Sequence, residues 1–162
     1  MASGSFNFAR IGFFAKGPVL ELGCLQGAST IVLYRANRNV TTIDISMEAI
    51  EAARANFKRH NVKPTIIHAD AAAGIKQLAK EGKKFAFVFV DHDHGYDSVY
   101  RACVELPSVL QEGAYLFFHD FQDLRNESGI FGVYKAVKDT LADKLDFIGL
   151  SGNGAVFRYI AA

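Results

Sequence analysis

The sequence is short of the features that mark several protein classes. Its 162 residues hold two cysteines, Cys24 and Cys103. They are too few and too far apart for a disulfide framework or a C-x-x-C metal site, so both read as reduced residues of a core or a site wall. No apolar run approaches the roughly 20 residues that span a bilayer. The N-terminus lacks a basic stretch followed by a signal-like core, which makes the cytoplasm the expected location. Charge of one sign is also lacking: a formal net charge of +1 gives no grip on nucleic acid or an anionic membrane, and neither is expected as a partner. With no internal repeat, linker or low-complexity block, residues 1–162 read as one domain around one core, burying roughly 70% of the surface that the unfolded chain exposes.

The most informative stretch is PVLELGCLQGAST, Pro18 to Thr30. Val19, Leu20 and Leu22 form a short apolar run containing Glu21, then Gly23 and Gly27 precede a helical pattern from Ala28. This is a buried strand, a tight glycine turn and a helix, the form of a ligand cradle. Two reasons for glycine offer themselves: positive φ in the turn, and a missing Cβ that lets a ligand lie against the backbone. The dinucleotide fingerprint G-x-G-x-x-G requires a middle glycine. Here Cys24, Leu25 and Gln26 stand between Gly23 and Gly27, which argues against a bound pyrophosphate.

Strand and helix patterns alternate along the chain. Ala28 to Ala36 reads as a helix and Asn39 to Ile43 as a β-branched strand running into Asp44. Ser46 reads as the N-cap of a helix with Ile50, Ala53 and Phe57 on one face. Thr65 to His68 is a strand ending near Asp70, and Ala71 to Lys80 a helix. Phe85 to Asp91, FAFVFVD, is an emphatic strand. A helix over Asp97 to Leu110, bent or ended by Pro107, leads to a strand over Ala114 to Phe118. Gln122 to Gly129 is a polar, mobile loop, and Phe131 to Leu141 returns to helical periodicity. Leu145 to Leu150 and Ala155 to Ile160 flank SGNG, whose Asn153-Gly154 pair signals a hairpin. Five strands separated by helices give a parallel sheet covered on both faces, closed by an antiparallel hairpin. In such sheets ligands bind beyond the carboxyl ends of the strands, where Glu21, Asp44, Asp70, Asp91 and Asp120 all fall.

The Glu21, Gly23, Gly27 spacing resembles the E-x-G-x-x-x-G first motif of class I S-adenosylmethionine-dependent methyltransferases. The segment VFVDHDHGYDSVYRACVELPSVLQEGAYLFFHDF narrows this, being similar to the group of cephalosporin-hydroxylase-like and catechol O-methyltransferase-like proteins. The resemblance spans Pro18 to Asp120. It implies a Rossmann-like, doubly wound α/β fold with a mostly parallel seven-stranded sheet of order 3-2-1-4-5-7-6. It implies an S-adenosylmethionine site made of Glu21, Gly23, Cys24, Gln26, Gly27, Ser29, Asp44, Ile45, Ala69, Asp70 and Asp91. Asp44, 21 positions beyond Gly23, stands where a carboxylate meets a ribose; it also reads as a helix cap, and both roles can coexist. Asp70 either approaches the adenine amino group or caps the next helix.

In this group acids after the fourth and fifth strands hold a divalent ion, and the resemblance carries that metal role to Asp91, His119 and Asp120. Carboxylates suit Mg²⁺ or Mn²⁺, while the histidines also permit a softer ion. Asp91, His92, His94 and His119 are the candidate catalytic residues, the histidines titrating near neutrality. The expected function is methyl transfer to an oxygen of a small molecule. Alternatives on the same fold are a cofactor-binding accessory module without its own turnover and a metal-dependent hydroxylase or hydrolase. The lysine base of catechol enzymes has no counterpart beside Asp91, where His92 stands. Residues 1–17, with Phe6, Phe8, Phe13 and Phe14, read as aromatic packing on the sheet edge, or else a docking segment or flap. Catechol-type members carry additional N-terminal helices, so a second copy or a partner subunit is a candidate to complete the substrate side.

Overall fold

The computed structural model describes residues 16–160, so Phe6, Phe8, Phe13 and Phe14 lie outside the described residues. Seven strands, β1 (Val19–Leu22), β2 (Val40–Asp44), β3 (Thr65–His68), β4 (Phe85–Val90), β5 (Leu110–Phe118), β6 (Leu145–Ser151) and β7 (Gly154–Tyr159), form one sheet of order β3-β2-β1-β4-β5-β7-β6. The first five are parallel, and β7 runs antiparallel to both β5 and β6. This is the order implied by the resemblance. Helices α1 (Ala28–Asn37), α2 (Met47–His60), α3 (Ala71–Lys80), α4 (Tyr96–Glu105) and α5 (Val133–Leu141) connect the strands.

The central strands read as continuous apolar runs because both sheet faces are covered. Leu20, Leu22, Val88, Val90, Leu116 and Phe118 pack with α3, α4 and α5, whereas Val19, Phe87, Phe89, Phe117 and Val156 gather with Leu33 of α1 on the opposite face. Ile50, Ala53 and Phe57 bury the predicted face of α2 against Cys24 and Ile31. Ser46 caps that helix, its side chain accepting from the Ala49 N–H. Cys24 and Cys103 are free and buried, which pushes both thiols up to about 12. None of the described helices is long and apolar enough to cross a membrane.

The boundaries around Pro107 and the turn of the C-terminal hairpin differ from expectation. Pro107 ends the helix early: α4 stops at Glu105, a 3-10 turn spans Leu106–Val109, and β5 begins at Leu110 rather than Ala114. The amphipathic period misleads here because Leu110 is buried as an extended residue paired with Phe85. Between that pair and Phe87↔Tyr115 the register shifts, with Gly113 at φ +72°. In the C-terminal hairpin Ser151 pairs with Gly154, so the turn centre is Gly152-Asn153, with Gly152 at φ +58°. Asn153-Gly154 signalled the hairpin correctly, one position out of place. The loop expected to be loose contains a 3-10 turn, Leu124–Asn126. Asn126 Nδ2 donates to the carbonyls of Asp120 (2.8 Å) and Asp123 (2.9 Å), while its Oδ1 accepts from the Tyr134 N–H at 3.1 Å.

Both glycines of the cradle have positive φ, +88° for Gly23 and +82° for Gly27. The second expected reason for them is corrected. A Cβ at Gly23 meets the Asp91 carbonyl oxygen at 2.4 Å and His92 Cα at 2.7 Å, and one at Gly27 meets the Phe57 ring at 2.4 Å. Protein fills these spaces. Gly23 lets the turn after β1 lie against the turn after β4, and Gly27 lets α1 start against α2. Below them Glu21 is fully buried, accepting a hydrogen bond from Thr30 Oγ1.

Two outcomes follow for stability. Gly27→Ala imposes left-handed strain and displaces Phe57, which lowers stability by about 2–3 kcal/mol, measurable as a reduced urea midpoint. Burial raises the Glu21 carboxyl from an ordinary 4.5 to about 7. Between those values the unfolded chain has released a proton that the folded chain keeps. The Glu21 contribution is therefore complete below the lower value and falls as pH rises toward the upper one, by about 3 kcal/mol in all. Urea unfolding at pH 5 and pH 8 checks this: Glu21→Gln removes most of that difference.

Candidate active site

The carboxyl ends of the parallel strands lie level because backbone hydrogen bonds continue past them. Gly23 N donates to the Ile43 carbonyl (2.8 Å), Asp91 N to Leu22 (2.9 Å), Ala69 N to Asp44 (3.0 Å) and His119 N to Val90 (3.0 Å). Above this edge opens a cleft of about 870 Å³. Of the eleven residues expected at the cofactor, Gly23, Cys24, Gln26, Ser29, Asp44, Ile45, Ala69, Asp70 and Asp91 line it. Glu21 and Gly27 do not. Glu21 lies beneath the floor, and Gly27 caps α1 without a side-chain bond, which leaves the first N–H groups of that helix open where Ala28 and Ser29 border the cleft.

Asp44 is more engaged than its sequence position indicates. Its Oδ2 accepts from the N–H groups of Cys24 (2.9 Å) and Leu25 (3.0 Å), and Oδ1 accepts from Ser46 N at 2.9 Å. The carboxylate thus fixes the glycine turn, including Leu25 at φ +46°. Lone-pair capacity remains on Oδ1 for a hydroxyl donor. Asp70 takes the capping place and also faces Arg101. Its Oδ1 accepts from Ala73 N at 3.4 Å at the start of α3, and Oδ2 lies 3.4 Å from Arg101 Nη2 at the cleft wall. Arg101 and Ser98 also line the cleft; lying within a helix reading, they gave no sequence signal.

At the far wall Asp91, His94, His119 and Asp120 converge. His94 Nε2 lies 3.0 Å from Asp120 Oδ2 and 3.6 Å from Asp91 Oδ1; His119 Nδ1 lies 3.2 Å from each of those oxygens. Suitable donor atoms of Asp91, His94 and His119 all fall within 4.8 Å of one another. Both ring nitrogens are shielded from solvent yet have no hydrogen bond of acceptable geometry. That is how nitrogen lone pairs stand around a shared cation, so the residues fit a divalent ion. Burial tends to raise the Asp91 pKa, but His119 and His94 outweigh it and hold the carboxyl below its usual value; in return, Asp91 raises His119. The sequence reading gave the metal role to Asp91, His119 and Asp120, and named His94 as a candidate catalytic residue and one of the histidines that permit a softer ion. The i,i+3 spacing from Asp91 was the signal available for it. His92 lines the cleft outside this cluster, and burial lowers its pKa.

A second cavity of about 290 Å³ shares Ala28, Ser29 and Asp91 with the larger cleft. Phe89, Phe117 and Val32 give it apolar walls, His119 reaches its rim, and the β6–β7 hairpin closes it with Ser151, Gly152 and Asn153. Ser151 is 9% exposed and its Oγ has no hydrogen-bond partner. The sequence gave the hairpin but not this wall. Asp91 lines both cavities.

Comparison with known proteins agrees with this geometry. The ribosomal RNA small subunit methyltransferase C of Yersinia enterocolitica is 25% identical over 145 residues, covering 88% of this chain and 40% of that protein. Uncharacterized protein R132 of Acanthamoeba polyphaga mimivirus is 26% identical over 136 residues, covering 77% of this chain and 61% of that protein. The chain thus spans less than two thirds of either curated relative. Among solved structures, the O-methyltransferase from Bacillus cereus in complex with SAH superposes with a TM-score of 0.82 at 19% identity, covering 98% of this chain and 80% of that one. Its fold is the fold found here. The sequence profile described as a methyltransferase domain matches residues 20–121, from β1 through the cluster at Asp120. Because that match takes in well over half of the chain, the chain belongs to the methyltransferase domain family.

Proposed function

We propose that this protein is an S-adenosylmethionine-dependent methyltransferase acting on an oxygen of a small molecule, assisted by a divalent ion. The observation that carries the reading is one carboxylate, Asp91, forming a wall of both cavities. A methyl donor in the larger and an acceptor in the smaller would meet beside it. The formal net charge of +1 and the apolar second cavity support a small acceptor over a nucleic acid. Free Cys24 and Cys103 support a cytoplasmic location.

When bound, S-adenosylmethionine supplies a methyl group already activated by a sulfonium, so the protein's main task is alignment, an effect of roughly 7–11 kcal/mol. A divalent ion held by Asp91, His119 and Asp120 supplies positive charge that eases ionisation of an adjacent hydroxyl. The chain's own residues do the rest. The open N–H groups at the start of α1 suit a carboxylate, Asp44 Oδ1 suits a ribose hydroxyl, and Ala69 and Asp70 border the place of the base. Phe89 and Phe117 provide a flat apolar support for the acceptor, and Ser151 Oγ a hydrogen bond. Of the candidate histidines, His119 lines the smaller cavity and stands beside the acceptor, whereas His92 borders the larger cleft.

Calorimetric titration with S-adenosylhomocysteine tests the cofactor assignment. Binding in the micromolar range is expected, and Asp44→Ala weakens it roughly 10- to 100-fold, the effect of losing hydrogen bonds to a charged group. Unchanged affinity in that variant removes the ribose assignment. Turnover of S-adenosylmethionine by the isolated chain, screened against small phenols and aliphatic alcohols, separates an enzyme from an accessory module. With any acceptor that reacts, Ser151→Leu raises KM roughly tenfold while leaving S-adenosylhomocysteine affinity unchanged, because it removes binding on the acceptor side alone.

A further inference from the structure

His94 does more than stand near the acidic cluster: its ring is clamped. One face stacks on Phe131, with centroids 4.5 Å apart and planes at 16°. The guanidinium of Arg125 lies over the Phe131 ring, 3.9 Å from its centroid. Arg125 is in turn fixed by a two-point ion pair with Asp123, Nε to Oδ1 and Nη2 to Oδ2, both at 2.7 Å. Backbone bonds hold the layers in register: Phe131 N donates to the Arg125 carbonyl at 2.9 Å, and Gly132 N to the His94 carbonyl at 2.8 Å. Gly132 is required for this approach, since a Cβ there meets Tyr96 Cα at 2.4 Å. The result is an Arg–Phe–His stack whose last member aims Nε2 at Asp120 and Asp91.

Such investment in one imidazole is unnecessary for an ion pair with two carboxylates already served by His119. A metal ligand needs its orientation fixed, and residues that fix it are worth roughly 10- to 100-fold in metal affinity. We propose that His94 is itself a ligand and that Phe131 and Arg125 position it. The site is then two imidazoles with Asp91, and Asp120 beside both rings, rather than an all-oxygen set. That composition selects a first-row transition ion of the Fe²⁺, Co²⁺ or Zn²⁺ class, because imidazole nitrogen suits those ions while Mg²⁺ takes oxygen ligands and water. This inference rests on the methyltransferase reading only for the ion's use; the ion's identity follows from the donor atoms.

Co²⁺ is the probe, since its paramagnetism shifts the proton resonances of coordinated imidazoles. Metal-stripped full-length protein, with and without S-adenosylhomocysteine, is titrated separately with CoCl₂ and MgCl₂ by calorimetry, and the Co²⁺ form is examined by proton NMR. The expected result is Co²⁺ affinity at least 100-fold above that for Mg²⁺ and two sets of shifted imidazole signals. His94→Gln leaves one set. Phe131→Leu and Arg125→Gln keep both but lower Co²⁺ affinity roughly 10-fold, with Mg²⁺ affinity unaffected. A single imidazole set in the unmodified protein, no Co²⁺ binding, or His94→Gln with unaltered spectra overturns the proposal. S-adenosylhomocysteine binding is read in the same samples: its presence without shifted imidazoles overturns the ligand assignment alone, and its absence with two shifted sets overturns the methyltransferase reading alone. Retained S-adenosylhomocysteine affinity in Phe131→Leu and Arg125→Gln, and an unchanged urea midpoint in His94→Gln, exclude misfolding as the cause.

Discussion

The close approach of two backbone turns governs this site. The turn after β1 presses on the turn after β4 with no room for a Cβ at Gly23. That contact sets Asp91 directly beside the glycine loop, and Asp91 N hydrogen-bonds back to Leu22. Asp44 completes the bracing from the other side by accepting two N–H groups of the same loop. The floor of the larger cleft is therefore built from backbone held at short range, and side chains are added to it. Left-handed residues at Gly23, Leu25 and Gly27 persist because these neighbours leave the chain no relaxed alternative.

Much of this was legible in the sequence because each signal was local. Apolar runs, the Ser46 cap and the acids at strand ends depend on residues a few positions apart, and parallel strands buried on both faces give unmistakable runs such as FAFVFV. Signals failed where a distant contact decides. Leu110 fits a helical period, yet its pairing with Phe85 makes it extended. Gly23 and Gly27 were identified, but the groups occupying their Cβ positions, at Asp91 and Phe57, come from elements far along the chain. His94 joins the cluster through Phe131, a residue 37 positions away with no motif of its own. The sequence offered Asp44 a ribose role and a helix-cap role, but not its bonds to the Cys24 and Leu25 N–H groups, which come from a loop about 20 positions away.

The polar connection after β5 shows why composition is a poor guide to loops. It has no apolar period, yet Asn126 ties it to four backbone groups and Asp123 pins Arg125. Asp123 is held well below the usual carboxylate range by that guanidinium. The segment is a scaffold for the wall of the site, and its order comes from side-chain hydrogen bonds that sequence pattern cannot report.

The hairpin that closes the smaller cavity has an evolutionary consequence. Ser151, Gly152 and Asn153 border that cavity but none of them touches the larger one. Mutations at the tip can therefore change what the cavity admits without passing through intermediates that have lost the other cleft. Freedom is unequal within the tip, since Gly152 is bound by its left-handed φ. Ser151 and Asn153 are where divergence of such chains should accumulate first, with one lineage separated from another by two side chains on an otherwise unaltered scaffold.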